Sequence, residues 1–143
     1  FTRTLDLPLK AKLWETDYSN TLVVFDSSTA NEDNLKRIPK NVSIEKFSSD
    51  NPKLLSKFLA EKGFNKVLWE CGPKLATSAM RSGCIQECIS FIAPKILGGD
   101  NSMNPFSDFK FTSMKEVINL NLKELYPIDN DICLKSDLRI KSK

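Results

Sequence analysis

Apolar and polar positions alternate between two periods along this chain. Thr21 to Phe25 is β-branched and apolar, and Asp26-Ser27-Ser28 stops it, so it reads as a strand. Asn31 to Arg37 is polar and reads as a short helical turn. Val42 to Phe47 alternates and reads as a second strand. Ser49 or Asp50 can cap a following helix, with Pro52 in its first turn; Leu54, Leu55, Phe58 and Leu59 supply its buried stripe and Gly63 its end. The run from Lys66 to Trp69 is short and apolar, as a buried parallel strand would be. A helix from Pro73 to Arg81 follows, with Leu75, Ala76, Ala79 and Met80 on one face and Gly83 after its end. Glu87 to Ala93 reads as another strand, stopped by Pro94. Leu97 to Asp108 is a loop rich in Gly, Asn, Ser and Pro. Thr112 to Leu125 contains one strand or two, Asp129 to Asp131 is a turn, and Ile132 begins a last strand before a basic tail, Lys135 to Lys143, that is expected to fray. Strand and helix alternate in the first half, which argues for βαβ units and a parallel sheet; the second half adds a strand meander. The class is α/β. The segment Phe1 to Glu15 is irregular, since Pro8 interrupts either period.

The junction at Glu70 to Ser78 carries the candidate chemistry. A carboxylate, Glu70, follows the apolar run, Gly72 permits a turn, and Pro73 opens a helix whose first N–H groups have no internal partner. The helix dipole adds partial positive charge there, so a phosphate fits at Gly72 to Ser78, and ligands gather at the carboxyl ends of strands in open α/β sheets. The signal is weak by itself, because many strand–glycine–helix turns bind nothing. Thr2 and Arg3 can meet a phosphate at a strand end, or stand as solvated loop residues.

Composition narrows the class without deciding it. The chain has 143 residues, 41% hydrophobic and 27% charged, enough for one domain with a core. With 21 basic and 18 acidic residues the net charge is +3 and the lysines are scattered, so no nucleic-acid surface is indicated. No apolar run approaches the ~20 residues of a membrane span, and no secretory h-region is present. Cys71, Cys84, Cys88 and Cys133 form no CxxC pair and are expected to be buried, reduced thiols in a cytoplasmic protein. Histidine is absent, so a zinc site would need thiolates or carboxylates alone, and no metal is expected. The same absence removes His-based triads and the commonest general base.

Three separated motifs resemble one known family. They are Leu68-Trp69-Glu70-Cys71-Gly72-Pro73-Lys74-Leu75-Ala76, then Gly83-Cys84-Ile85-Gln86-Glu87, then Phe91-Ile92-Ala93-Pro94-Lys95-Ile96-Leu97-Gly98-Gly99. In this order they resemble the reductase domain of riboflavin biosynthesis, usually the C-terminal half of a bifunctional deaminase/reductase. Leu5 to Trp14 and Asp129 to Leu134 resemble its cyanobacterial and plant branch, so the resemblance covers nearly the whole chain. It implies a dihydrofolate-reductase-like three-layer sandwich with a mostly parallel central sheet and late antiparallel strands. It also implies NADPH-dependent reduction of the ribose of 5-amino-6-(5-phosphoribosylamino)uracil to the ribityl form, within a longer parent enzyme. Carried over by position, Glu70 is substrate-binding. Thr2, Gly72, Pro73, Lys74, Leu75, Ala76, Thr77 and Ser78 are cofactor-binding. Arg3 would favour NADPH by standing near its 2′-phosphate. No catalytic acid is assigned; Glu70, a substrate phosphate or water could each serve. The resemblance further implies a homodimer or higher homo-oligomer, with the late strands and the Ala93 to Gly99 loop near the partner.

Two departures matter. Ile85-Gln86-Glu87 stands where the family has Val-Asp-Glu, so a charge is lost at Gln86, and Glu87 reads as structural or as part of a dimer face. The chain opens without Met and in mid-pattern, which reads as a single, partial reductase domain spanning 1–143, truncated at its N-terminus. The family's first strand would lie inside the sheet, so its absence predicts oligomerisation or strand exchange. A related reductase acting on a pterin is a second enzyme reading. A non-catalytic remnant, serving as an oligomerisation or ligand-binding module, is the reading from another class.

Overall fold

Five strands form among the residues that the structure, a computed structural model, describes: 1–17, 19–98 and 104–138. They make a two-stranded and a three-stranded sheet. The chain divides into two compact units, Phe1–Leu55 and Ser56–Lys143.

In the first unit β1 (Leu22–Asp26) pairs in parallel with β2 (Ser43–Phe47), from Leu22 opposite Ser43 to Asp26 opposite Phe47. A five-residue helix, α1 (Glu32–Lys36), lies between them in sequence; its cap is Asn31, whose side chain accepts from Asp33 N at 2.8 Å. β1 is buried from Val23 to Asp26, as its β-branched apolar run requires. Val23 and Phe25 join Leu5 and Val42 in a core, with Leu7, Trp14, Ala30, Leu35 and Ile38 packed against it. Fully burying a Val, Leu or Phe side chain, as in those first four, gains roughly 1.5–3 kcal/mol. The irregular N-terminal segment supplies three of these anchors, Leu5, Leu7 and Trp14. Thr2 N donates to Val24 O at 2.9 Å and Asp26 N donates to Thr2 O at 3.1 Å, which makes Thr2 a parallel bridge to Phe25. A 3-10 turn, Lys12–Trp14, follows Pro8, and the Trp14 indole donates to Pro8 O at 2.8 Å.

The division between the units falls within α2 (Pro52–Glu61). Its cap is Asn51, not Ser49 or Asp50: Asn51 Oδ1 accepts from Lys53 N at 2.9 Å, while Ser49 Oγ accepts from Asn51 N. Pro52 at the first helical position places the cap one residue before it. Leu55 is buried and Phe58 and Leu59 are half-buried, but Leu54 is exposed, so the stripe is narrower than expected. The helix ends as predicted. Gly63 takes φ +91°, with Gly63 N on Ala60 O and Phe64 N on Leu59 O, a Schellman cap.

The expected central strand is the main correction. Lys66 to Trp69 makes no ladder among the described residues, and Leu68 is 79% exposed. Residue type alone does not hold a strand; backbone groups need a hydrogen-bonded neighbour, and none of the five strands pairs with this segment. α3 (Pro73–Arg81) follows and ends in a second Schellman cap, with Gly83 at φ +70° and Cys84 N on Ala79 O.

The second unit's sheet has the order β3-β5-β4, from β3 (Glu87–Ile92), β4 (Asn121–Ile128) and β5 (Asp131–Asp137), with both pairings antiparallel. β3 stops before Pro94 as expected. The predicted strand over Thr112 to Leu125 begins only at Asn121. Thr112 and Ser113 instead turn back onto the Glu116 carboxylate, which accepts from Thr112 N and from both hydroxyls. Lys135, Ser136 and Asp137, assigned to a fraying tail, are ladder residues of β5 opposite Ile89, Cys88 and Glu87. The rest of that tail, from residue 139, and the loop residues 99–103, Gly99 among them, lie outside the described residues. The molecule is thus a mixed α/β fold. Parallel pairing, expected to dominate, is confined among the described residues to β1, β2 and Thr2.

Candidate functional site

Glu70, Cys71 and Gly72 lead in extended backbone to the first turn of α3. No side chain caps this helix, and Ala76 N, on Gly72 O at 3.0 Å, is its first amide with an internal acceptor. The Lys74 and Leu75 amides before it therefore project from the positive end of the helix dipole. Gly72 has φ −68° and ψ 167°, a conformation open to any residue, and a Cβ built there meets nothing within 4 Å. The turn itself does not demand glycine; the open space beside it is room for a ligand. Glu70, Lys74 and Ser78 are exposed, and Pro73, Leu75 and Ala76 are half-buried. Burial pushes the neighbouring Cys71 thiol up from its usual range.

Thr77 differs from its neighbours. It is buried, and its Oγ1 accepts from Ser107 N at 2.8 Å and donates to Ser107 O at 3.2 Å. Thr2 belongs to the other unit, where its Oγ1 accepts from Leu5 N at 3.2 Å in a turn that holds Leu5 at φ +58°.

A second polar cluster escaped the sequence reading, which took Asp26-Ser27-Ser28 only as a strand stop. Asp26 ends β1 and is 6% exposed. Its Oδ1 accepts from Ser28 N at 2.9 Å and from Ser28 Oγ at 2.6 Å. These bonds, the hydroxyl's first, hold its carboxyl below the usual carboxylate range, and the charge of Arg3 adds to them. Ser27 Oγ lies 3.0 Å from Ser48 Oγ, just past the end of β2. A carboxylate and three hydroxyls at the carboxyl ends of two parallel strands were visible as a signal once the parallel pairing was assumed.

The four cysteines are free thiols, but only Cys133 is buried; Cys71, Cys84 and Cys88 are half-exposed. Among the described residues no group of three or more His, Cys, Asp or Glu could hold a metal ion. Among them, too, no helix is long and apolar enough to cross a membrane. Glu87, read as structural or dimer-facing, opens β3 and pairs with Lys135 at 3.5 Å.

Comparison with known proteins identifies the family. The model of the RibD C-terminal domain matches residues 1–134. The chain is 34% identical over 119 residues to the riboflavin biosynthesis protein PYRR, chloroplastic, of Arabidopsis thaliana, covering 83% of this chain and 20% of that protein. It is 34% identical over 120 residues to the riboflavin biosynthesis protein RibD of a Synechocystis species, covering 83% of this chain and 32% of the relative. The chain thus spans less than a third of these curated relatives' length. Among solved structures, Acinetobacter baumannii RibD in its form 2 superposes with a TM-score of 0.73 at 24% identity, over 94% of this chain and 35% of that one. A pyrimidine reductase-like protein of Corynebacterium diphtheriae gives 0.72 at 20% identity, over 95% and 59%. Those two likenesses concern the fold, whereas the match over residues 1–134 concerns descent: the chain belongs to the RibD C-terminal domain family.

Proposed function

We propose that residues 1–143 form a single, partial reductase domain of a longer enzyme that reduces the ribose of 5-amino-6-(5-phosphoribosylamino)uracil to the ribityl form with NADPH. The observation that carries this reading is the open first turn of α3: two amides without an internal acceptor, no capping side chain, and free space at Gly72. That is a fit for cofactor phosphates. Gly72, Pro73, Lys74, Leu75, Ala76 and Ser78 would hold them. Glu70, exposed at the end of the extended segment, would bind the substrate through charge-assisted hydrogen bonds. The nicotinamide, when bound, supplies the hydride, so no protein nucleophile is required. The residues named bind and orient; none is assigned a proton transfer. The dihydrofolate-reductase-like sandwich with a mostly parallel central sheet belongs to this reading, as does a reducing, cytoplasm-like setting.

A homodimer or higher homo-oligomer is part of the same proposal. Its support is the exposure of Phe91 on β3 and of Leu122 and Leu125 on β4, apolar side chains on a sheet that the second unit leaves open.

Calorimetric titration of NADPH into the chain tests the site, beside Gly72→Val and Glu70→Ala. Micromolar binding, lost in Gly72→Val and kept in Glu70→Ala, is the expected result. A Cβ at Gly72 meets no protein atom within 4 Å, and an unchanged far-UV spectrum of Gly72→Val would assign that loss to the ligand and not to the fold. Absence of binding by the unmodified chain would mean that these residues lack essential ligands, and the activity would then be assigned to the longer parent protein.

A further inference from the structure

We infer that Thr77 is a positioning residue, whose hydroxyl seats the segment 104–111 as a strap along α3. A threonine inside a helix ordinarily turns its hydroxyl back to the carbonyl four residues earlier or out to water. Thr77 does neither. Its Oγ1 both accepts from and donates to the backbone of Ser107, a reciprocal pair 30 positions away in sequence and screened from solvent. Ser107 N also lies 3.3 Å from Pro73 O, so the same amide touches the helix's first residue. A second anchor stands at the other end of α3, where Arg81 Nη2 donates to Phe109 O at 3.0 Å. The strap therefore follows the helix from its first turn to its last.

The strap is also internally braced. Phe106 and Phe109 pack at 5.9 Å, and Phe109 stacks on Phe111 at 5.0 Å with an 11° interplanar angle. Asp108 Oδ1 accepts from Lys110 N at 2.7 Å, where Lys110 takes φ +55°. A braced segment loses little further entropy on docking, so two anchors suffice to hold it. That the strap stands beside a cofactor turn rests on the function proposed above. That Thr77 holds the strap does not.

Amide exchange on the isotope-labelled 143-residue chain tests the assignment in Thr77→Val, Thr77→Ser and Arg81→Met. Thr77→Val keeps the shape and removes the hydroxyl. Ser107 N keeps its longer bond to Pro73 O, so its exchange should speed by about fivefold, the factor for one net hydrogen bond, while α3 and β5 amides stay protected. Thr77→Ser should restore the unmodified rate, which a purely steric role of Thr77 would not allow. An unchanged Ser107 rate in Thr77→Val, or no rescue by serine, would overturn the assignment. If the valine variant fails to fold, Arg81→Met decides, because Arg81 is exposed: faster exchange at Ser107 and Lys110 supports the docked strap, and unchanged rates sink it. NADPH titrated in parallel separates the two readings. Failure to bind would mean that these residues alone do not hold the cofactor, and would leave the exchange rates to judge Thr77.

Discussion

Asp26 shows how one side chain carries a pH dependence. Its carboxyl is held below the ordinary value of 3.8, first by the Ser28 hydroxyl and next by the Ser28 amide. A depressed folded-state value means stabilisation that is present above the unfolded value and is lost as pH falls through the folded one. Urea midpoints measured from neutral pH down past pH 3.8 should therefore fall steeply at the acid end. In Asp26→Asn that acid-limb slope should flatten, since the amide oxygen can still accept from Ser28 but carries no charge to protonate. A slope identical in both chains would remove Asp26 from the account. The residue was readable as a strand stop, but its burial was not. That depends on Thr2, which bridges β1 from 24 positions away and brings Arg3 near the carboxylate.

α3 is bounded by two glycines that do different things. Gly83 sits at φ +70° and Gly72 at φ −68°, and a Cβ at either meets nothing within 4 Å. Any cost of alanine is thus conformational. Gly83→Ala should lose about 1–2 kcal/mol in chemical denaturation, the cost of a left-handed L-residue. Gly72→Ala should stay within about 1 kcal/mol, because a weaker cap and a stiffer unfolded chain oppose each other. Equal losses at both positions would contradict this assignment. The sequence placed these helix ends well, because glycine and proline act locally. It placed the strands less well. Val67-Leu68-Trp69 has strand composition but no ladder among the described residues, whereas Lys135-Ser136-Asp137 looks like a solvated tail and is paired. Pairing is decided by what lies alongside, which composition does not carry. The same limit applies to the site: Gly72 to Ala76 was legible from the helix start, but the Thr77–Ser107 bond joins elements 30 positions apart and has no local signature.

For the whole molecule, the sheet β3-β5-β4 is notable for its exposed apolar side chains, Phe91, Leu122 and Leu125 among them. Leu125 lies opposite Leu134 on β5 and is 59% exposed. If copies of the chain associate through this sheet, Leu125→Lys should shift the sedimentation coefficient towards the monomer without changing the far-UV spectrum. An unaltered oligomer would place the contact elsewhere. The sheet's connectivity also orders the cost of assembling it. Asp129 at φ +51° and Asn130 close the β4–β5 hairpin, so Ile128 meets Asp131 across a two-residue loop. Ile92, by contrast, meets Ile132 after 40 intervening steps of chain. Closing a loop costs entropy that rises with its length by roughly 0.6 kcal/mol per doubling. The β4–β5 ladder is therefore the low-contact-order part of this sheet, the pairing whose closure costs less chain entropy, and the left-handed backbone at Asp129 sits at the turn that fixes its register.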